Sequence, residues 1–187
     1  MQSLDLLGLQ RDPSGGSADS MTLAIAHREG DVTLLDAARE IKPPFSPESV
    51  VEDFAALLKL YRIDNVQGDR YAGEWPRERF SERGVKYEPA AKPKSDLYRD
   101  LLPAINSGRV DLLDDPRLIA QLVGLERRTA RGGRDNIDHA PGAHDDIVNA
   151  VVGVVAVLAT SSRYDSSLDW VGVMDSRIFN NLYAARR

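Results

Sequence analysis

The sequence predicts a single α/β domain in which a mixed β-sheet is flanked by helices on both faces. The chain has 187 residues, which is the size of one domain with a sizeable buried core. Along it, short apolar runs typical of strands alternate with segments whose apolar residues recur at helical spacing. That order favours a sheet covered by helices. We assign one domain to residues 1–187, with its core at about 4–160 and a C-terminal tail at 161–187.

The N-terminal segment is typical of β-structure. Apolar runs at Leu4–Leu9, Met21–His27 and Val32–Ala37 predict three strands. The pair Gly30-Asp31 separates the second run from the third, and such a pair indicates a hairpin turn. We therefore expect antiparallel strands here.

Alternating helices and strands follow a proline-rich break. Ser46 and Pro47 mark a helix start, with serine as the N-cap and proline at the first helical position. Apolar residues then recur at helical spacing as far as Tyr61. The next predicted elements are a strand at 63–68, a helix at 74–82, a strand at 85–88, a helix at 95–105, an edge strand at 110–113 and a helix at 116–125.

The last third of the sequence divides into three parts. Residues 127–142 show neither periodicity nor an apolar face and include several glycines, so we predict a long loop. Residues 145–160 are rich in valine and alanine but are too numerous for one strand, which favours a buried helix. The tail from Ser161 onward predicts no element.

Composition excludes several classes of protein. The chain has no cysteine, so a disulfide scaffold, a thiolate zinc site and a cysteine nucleophile are excluded. The N-terminal segment lacks the basic start of a signal peptide, and the sequence has no apolar run long enough to cross a membrane. We expect a protein that is neither secreted nor membrane-bound.

The net charge of −5 argues, taken alone, against binding to nucleic acid. The positions of the charges change that interpretation. Between residues 117 and 134 five arginines face one glutamate, a local balance of +4. Arginine side chains suit phosphates, although ordinary surface arginines on a solvated loop are the alternative. The predicted DNA-binding residues are Arg127, Arg128, Arg131, Arg134 and Lys94.

Acidic residues fall at the ends of predicted strands and at the start of the apolar helix. Asp12 and Asp69 follow strands, and Asp145 and Asp146 precede the helix. Carboxylates that converge in a crevice repel one another unless a cation neutralises them, and oxygen ligands favour Mg²⁺ or Mn²⁺. The alternative is that Asp12 and Asp69 are turn residues and that one of the adjacent pair caps the helix.

Six segments form an ordered set along the sequence. They are DPSGG at 12–16, DSMTLAI at 19–25, GDRYAGEWP at 68–76, KSDLY at 94–98, NSGRV at 106–110 and GAHDDIVNA at 142–150. The set resembles the nuclease domain of phage large terminase subunits, and the resemblance runs in order from about Asp12 to Val155, which is most of the chain.

The resemblance implies an RNase H-like fold and a two-metal endonuclease that cuts concatemeric viral DNA during packaging. By matching motif, Asp12, Asp69 and Asp146 are the expected catalytic metal ligands for two Mg²⁺ or Mn²⁺ ions, with Asp145 as a further ligand. Asp146 is favoured over Asp145 because small Ala150, one turn later, lets the helix approach the sheet. The implied partners are double-stranded DNA and, in a full-length terminase, the ATPase motor domain, the small terminase subunit and the portal, in the host cell cytoplasm.

One departure from that family is visible. Full-length large terminases carry an ATPase motor before the nuclease, and this sequence has no phosphate-binding loop of the form G-x-x-x-x-G-K-[ST]. The chain is expected to be either an isolated nuclease domain without the motor, which we favour, or a stand-alone relative of the family. The alternatives are a Holliday-junction resolvase or transposase-like nuclease, an actin-like ATPase, and a non-catalytic module that docks to DNA or a protein.

Overall fold

The fold is a six-stranded mixed β-sheet with helices on both faces, accompanied by a separate two-stranded ribbon. The computed structural model describes residues 20–68, 74–129, 135–160 and 170–175. Its strands are β1 (Met21–Glu29), β2 (Val32–Ile41), β3 (Asn65–Gly68), β4 (Lys86–Pro89), β5 (Val110–Asp111), β6 (Leu125–Thr129), β7 (Asp135–His139) and β8 (Trp170–Asp175). Its helices are α1 (Pro47–Leu60), α2 (Glu74–Glu82), α3 (Lys94–Asn106), α4 (Pro116–Val123) and α5 (Asp146–Thr160).

The strand order across the large sheet is β4-β3-β8-β1-β2-β5. Strand β1 is antiparallel to both of its neighbours, β2 and β8, whereas β8, β3 and β4 run parallel to one another. Strand β5 pairs in parallel with β2 at the edge of the sheet, where an edge strand was predicted. The predicted mixed sheet with helices on both faces is therefore confirmed.

Strand β1 is buried on both faces, which explains its continuous apolar sequence. Met21, Leu23 and Ile25 pack with α1 and α2 in one hydrophobic core. Ala24 and Ala26, which point the other way, pack with α3, α4 and α5 in a second core. The small alanines on this face leave room for the valine-rich helix α5, which lies directly over the sheet.

Most predicted elements lie where the sequence placed them. The β1–β2 hairpin turns at Gly30, whose φ of +60° is a conformation that glycine adopts without strain. Helix α1 begins at Pro47 as predicted, although the Ser46 side chain makes no capping hydrogen bond. The valine-rich segment forms the single buried helix α5. The predicted strand at Leu4–Leu9 lies outside the described residues.

Two predictions are wrong. The segment 127–142 is not a structureless loop, because Leu125–Thr129 and Asp135–His139 form the antiparallel ribbon β6–β7. Its strands alternate charged and polar residues around few apolar ones, so the apolar period that reveals a strand is missing. The segment 161–187 is not merely a tail, since Trp170–Asp175 forms β8 between β1 and β3. The sheet therefore extends beyond the predicted core of 4–160.

Candidate metal centre

The N-terminus of α5 is fixed to the sheet and to a neighbouring helix. The Thr22 hydroxyl on β1 donates a hydrogen bond of 2.9 Å to the main-chain carbonyl of Asp146. The Gln121 side-chain oxygen on α4 accepts from the backbone N–H groups of Ile147 and Val148, at 3.1 and 3.2 Å. These N–H groups have no partner within the helix, so Gln121 caps α5 from another element. The position of Asp145 and Asp146 is thus set by tertiary contacts.

Asp145 is fully buried, and several donors surround its carboxylate. The amide of Asn149, one turn along α5, donates to one carboxylate oxygen at 3.1 Å. The Tyr98 hydroxyl on α3 donates to the other at 3.3 Å, and the Lys94 ammonium forms an ion pair with that same oxygen. Burial removes water from a carboxylate, and these three residues offset that loss at Asp145 with one charge and two hydrogen bonds.

The end of β7 brings a second carboxylate and an imidazole to Asp145. Lys94 Nζ lies 2.6 Å from Asp138 Oδ1, so its ammonium bridges Asp138 and Asp145. Burial acts to raise the pKa of Asp138, but the hydrogen bond and charge of Lys94, with the backbone N–H of His139, outweigh it and hold that pKa below its usual value. Asp138 is accordingly a carboxylate at neutral pH.

Asp138, His139 and Asp145 each direct one ligand atom to a common point, and these three atoms all lie within 4.8 Å of one another. His139 Nδ1 lies 2.8 Å from the carbonyl oxygen of Ala140. A carbonyl can only accept, so Nδ1 carries a proton, and Nε2 is the nitrogen left to bind a metal ion. Nε2 is the atom that lies 3.7 Å from Asp138 Oδ1 and 4.0 Å from Asp145 Oδ1.

The chemistry of this donor set fits a divalent cation. Two carboxylates and a neutral imidazole are ligands for Mn²⁺ and similar ions, while Mg²⁺ prefers oxygen alone. A metal-binding histidine usually donates the N–H of its other ring nitrogen to a carbonyl or carboxylate, as His139 does to Ala140. Among the described residues, Asp138, His139 and Asp145 are the group that could hold a metal ion.

Of the predicted site residues, Asp145 and Lys94 form an ion pair at the start of α5. Asp146 is itself buried, with its carboxylate 3.7 Å from His144 Nδ1. The predicted ligands Asp12 and Asp69 lie outside the described residues.

The strand register nevertheless indicates where β3 ends relative to the cluster. Gly68, the last residue of β3, pairs with Met174 of β8, and Met174 pairs with Leu23 of β1. Neighbouring strands are about 4.8 Å apart, so the backbone of Gly68 lies about 10 Å from that of Leu23. Leu23 follows Thr22, the residue bonded to Asp146. Gly68 therefore lies two strands away from the part of β1 that is bonded to the N-terminus of α5.

Sequence reasoning missed Asp138 and His139. The segment around them has no apolar period, so the sequence predicts a loop there. The strand that carries them, β7, is defined by its pairing with β6. It also missed Tyr98 and Asn149, although both lie within the segments that carry the family resemblance. A polar residue on the inner face of a helix, one turn after an acidic residue, is the signal that points to Asn149.

Two of the predicted DNA-binding arginines lie on the ribbon. Arg127 and Arg128 are exposed on β6, while Arg131 and Arg134 lie outside the described residues. The Arg128 side chain donates to Glu126 at 2.7 and 3.2 Å, a pair that is half exposed and contributes little to stability. An exposed pair of this kind leaves the arginine accessible to a phosphate.

No protein-family model matches the sequence, and no curated protein matches it significantly. Solved structures do match. The large terminase nuclease from thermophilic phage G20c has a TM-score of 0.63 and 19% sequence identity, over 74% of this chain and 75% of that chain. The chain has the fold of a phage large terminase nuclease domain. The RNase H-like fold that the resemblance implied is therefore confirmed.

Two further structures support the terminase nuclease fold. The nuclease domain of Thermus phage P74-26 large terminase has a TM-score of 0.56 at 16% identity, over 74% of this chain and 81% of that one. The HK97 bacteriophage large terminase has a TM-score of 0.55 at 15% identity, and the match spans 77% of this chain but only 36% of that chain. The G20c nuclease is also known with bound magnesium, cobalt or zinc. None of the helices in the described part of this chain has the length and apolar character needed to cross a membrane.

Proposed function

We propose that the chain is a metal-dependent DNA endonuclease that cuts concatemeric viral DNA during genome packaging. The observation that carries the proposal is the convergence, in a terminase nuclease fold, of the buried Asp145 at the start of α5 with Asp138 and His139. Divalent metals bound to the G20c nuclease support a metal requirement of the same kind.

Asp12, Asp69 and Asp146, with Asp145, are the proposed ligands of two Mg²⁺ or Mn²⁺ ions. Divalent ions held by carboxylates supply a water activated for attack and stabilise the leaving 3′ oxygen of a phosphodiester. The protein's own part is to fix the carboxylates. Thr22 and Gln121 hold the helix that carries Asp145 and Asp146, while Tyr98 and Asn149 orient Asp145.

Positive side chains are proposed to bind the DNA backbone beside this centre. Arg127 and Arg128 extend from the ribbon that ends in His139, and Arg131 and Arg134 belong to the segment between its two strands. Lys94 is proposed to contact a phosphate close to the carboxylates. No base-reading motif occurs in the sequence, so we expect cleavage without sequence preference.

The partners follow from the same proposal. As part of a large terminase, the domain would act with an ATPase motor domain, the small terminase subunit and the portal in the host cell cytoplasm. Its substrate would be double-stranded DNA.

The test is plasmid cleavage with Mn²⁺ by the wild-type chain, Asp145→Asn, Asp146→Asn and a control, Asp53→Asn, at an exposed position on α1. We expect cleavage by the wild type and the control, and a loss of at least about 100-fold in Asp146→Asn, since ligand removal takes away transition-state charge stabilisation. Wild-type activity in both acidic variants would contradict the assignment. A preference for branched DNA would favour a junction resolvase, and metal-independent DNA binding without cleavage would favour a docking module.

A further inference from the structure

Lys94 occupies an unusual place for a cation. It is the first residue of α3, where the positive end of the helix dipole disfavours a positive side chain. Its ammonium is nevertheless held between Asp138 and Asp145 and lies 6.0 Å from the centre of the Tyr98 ring. The helix dipole therefore does not explain why a lysine stands at this position, whereas its ion pairs with the two carboxylates do.

The ammonium stands where a shared cation would stand. It contacts one carboxylate oxygen of Asp138 and one of Asp145, and both residues belong to the group of three whose ligand atoms converge. Asp145 is fully buried. Without a cation, the two carboxylates would repel each other in a region of low polarity. Lys94 Nζ contacts Asp138 Oδ1, the same oxygen that lies 3.7 Å from His139 Nε2, so an ion bound between Asp138 and His139 would displace the ammonium from that oxygen.

We propose that Lys94 is a built-in counter-cation of this site: its ammonium bridges Asp138 and Asp145 until a divalent ion replaces it, and the displaced side chain then meets a DNA phosphate. This inference rests on the proposed function. The lysine stem is long and flexible, and the side chain is 30% exposed, so the ammonium has a route outward to solvent.

The replacement couples metal binding to DNA binding. Without DNA, the ion must displace the Lys94 ammonium from the carboxylates. The free energy needed for that displacement lowers the affinity of the site for the ion. With DNA, the released ammonium pairs with a phosphate, so the cost of displacing it is smaller. By linkage, the ion and DNA then strengthen each other's binding. The site would hold its metal weakly until a substrate arrives, which restrains cutting.

The experiment measures Mn²⁺ binding by calorimetry in the absence of DNA. The variants are Lys94→Met, which keeps the length of the side chain without its charge, and the control Lys92→Met. Lys92 is a nearby, more exposed lysine whose ammonium pairs with Asp100 at 2.6 Å, away from the cluster. We expect Lys94→Met to bind Mn²⁺ about tenfold more tightly than the wild type, which corresponds to about 1.4 kcal/mol. Lys92→Met should bind it as the wild type does.

Thermal unfolding gives a second readout. In the absence of metal, Lys94→Met should unfold at a lower temperature than the wild type, and Mn²⁺ should raise its unfolding temperature by a larger amount. If that variant does not fold, Lys94→Gln replaces it, because an amide retains hydrogen bonds to the carboxylates but no charge. An unchanged or weaker Mn²⁺ affinity in the folded variant would overturn the proposal, as would a wild type that binds no Mn²⁺.

Plasmid cleavage separates this inference from the proposed function. Tighter Mn²⁺ binding by Lys94→Met alongside a wild type that does not cut DNA would support the counter-cation and refute the nuclease. Cleavage by the wild type with no gain in metal affinity in the variant would support the nuclease and overturn the counter-cation.

Discussion

Gly153, in the middle of α5, provides a test of the strand that the sequence did not predict. A Cβ atom added at Gly153 would lie 2.6 Å from Cγ1 of Val173 on β8, and 3.5 and 3.7 Å from its Cβ and Cγ2. Carbon atoms in favourable contact lie about 3.5–4.0 Å apart, so Gly153→Ala overlaps its neighbour by about 1 Å. Val173 is buried and β-branched, and cannot rotate away freely.

The magnitude follows from two opposing effects. An alanine in a helix interior is about 1 kcal/mol more favourable than a glycine. Overpacking a filled core costs about 1–3 kcal/mol. The balance predicts that Gly153→Ala lowers the free energy of unfolding by about 1 kcal/mol, and for a domain of this size that lowers the unfolding temperature by about 2–4 °C.

The assay is urea unfolding of four proteins: wild type, Gly153→Ala, Val173→Ala and the double variant. Removing the Val173 methyl groups makes room for the new Cβ, so in the Val173→Ala background Gly153→Ala should be neutral or stabilising. If Gly153→Ala alone stabilises the protein by 0.5 kcal/mol or more (about half of the ordinary helix-propensity gain), then β8 does not lie beneath α5 and the reasoning is refuted.

Three further predictions concern the contacts that hold the start of α5, and each is measured by urea unfolding. Gln121→Leu should lower the free energy of unfolding by about 2 kcal/mol, because it leaves two buried N–H groups of α5 without their acceptor. A decrease below about 0.5 kcal/mol, the lower end for one ordinary hydrogen bond, would mean that the cap is not formed. Thr22→Val keeps the shape and removes one hydrogen bond to the Asp146 carbonyl, so about 1 kcal/mol is expected, and a neutral result would contradict that bond. Tyr98→Phe removes a donor to the Asp145 carboxylate and should cost about 1–2 kcal/mol; a stabilised variant would show that the carboxylate does not need it.

Elements with a local signature could be predicted from the sequence. The hairpin turn at Gly30, the start of α1 at Pro47 and the buried valine-rich helix α5 each depend on residues within one or two turns of the chain. Asp145 and Asp146 belong to this group as well, because their place at the start of an apolar helix is itself a local feature.

The ribbon β6–β7 could not be predicted in the same way. Its strands place Arg127 opposite Ile137 and Glu126 opposite Asp138, and no apolar period runs along either of them. What stabilises the return strand is contact with α3, through the ion pair of Lys94 with Asp138 and the packing of Ile137 in the core. These contacts join residues more than forty positions apart, and no local pattern encodes them.

By itself, the sequence determined strands β1 to β5 and the five helices, the acidic pair at the start of α5 and the absence of thiol chemistry, because each depends on local composition and spacing. Tertiary structure alone decided that Trp170–Asp175 lies in the middle of the sheet and that Asp138, His139 and Asp145 meet around Lys94. A strand's neighbours and a cluster's members are chosen by packing between distant segments. That choice depends on shape and charge across the whole domain, as at Gly153 over Val173.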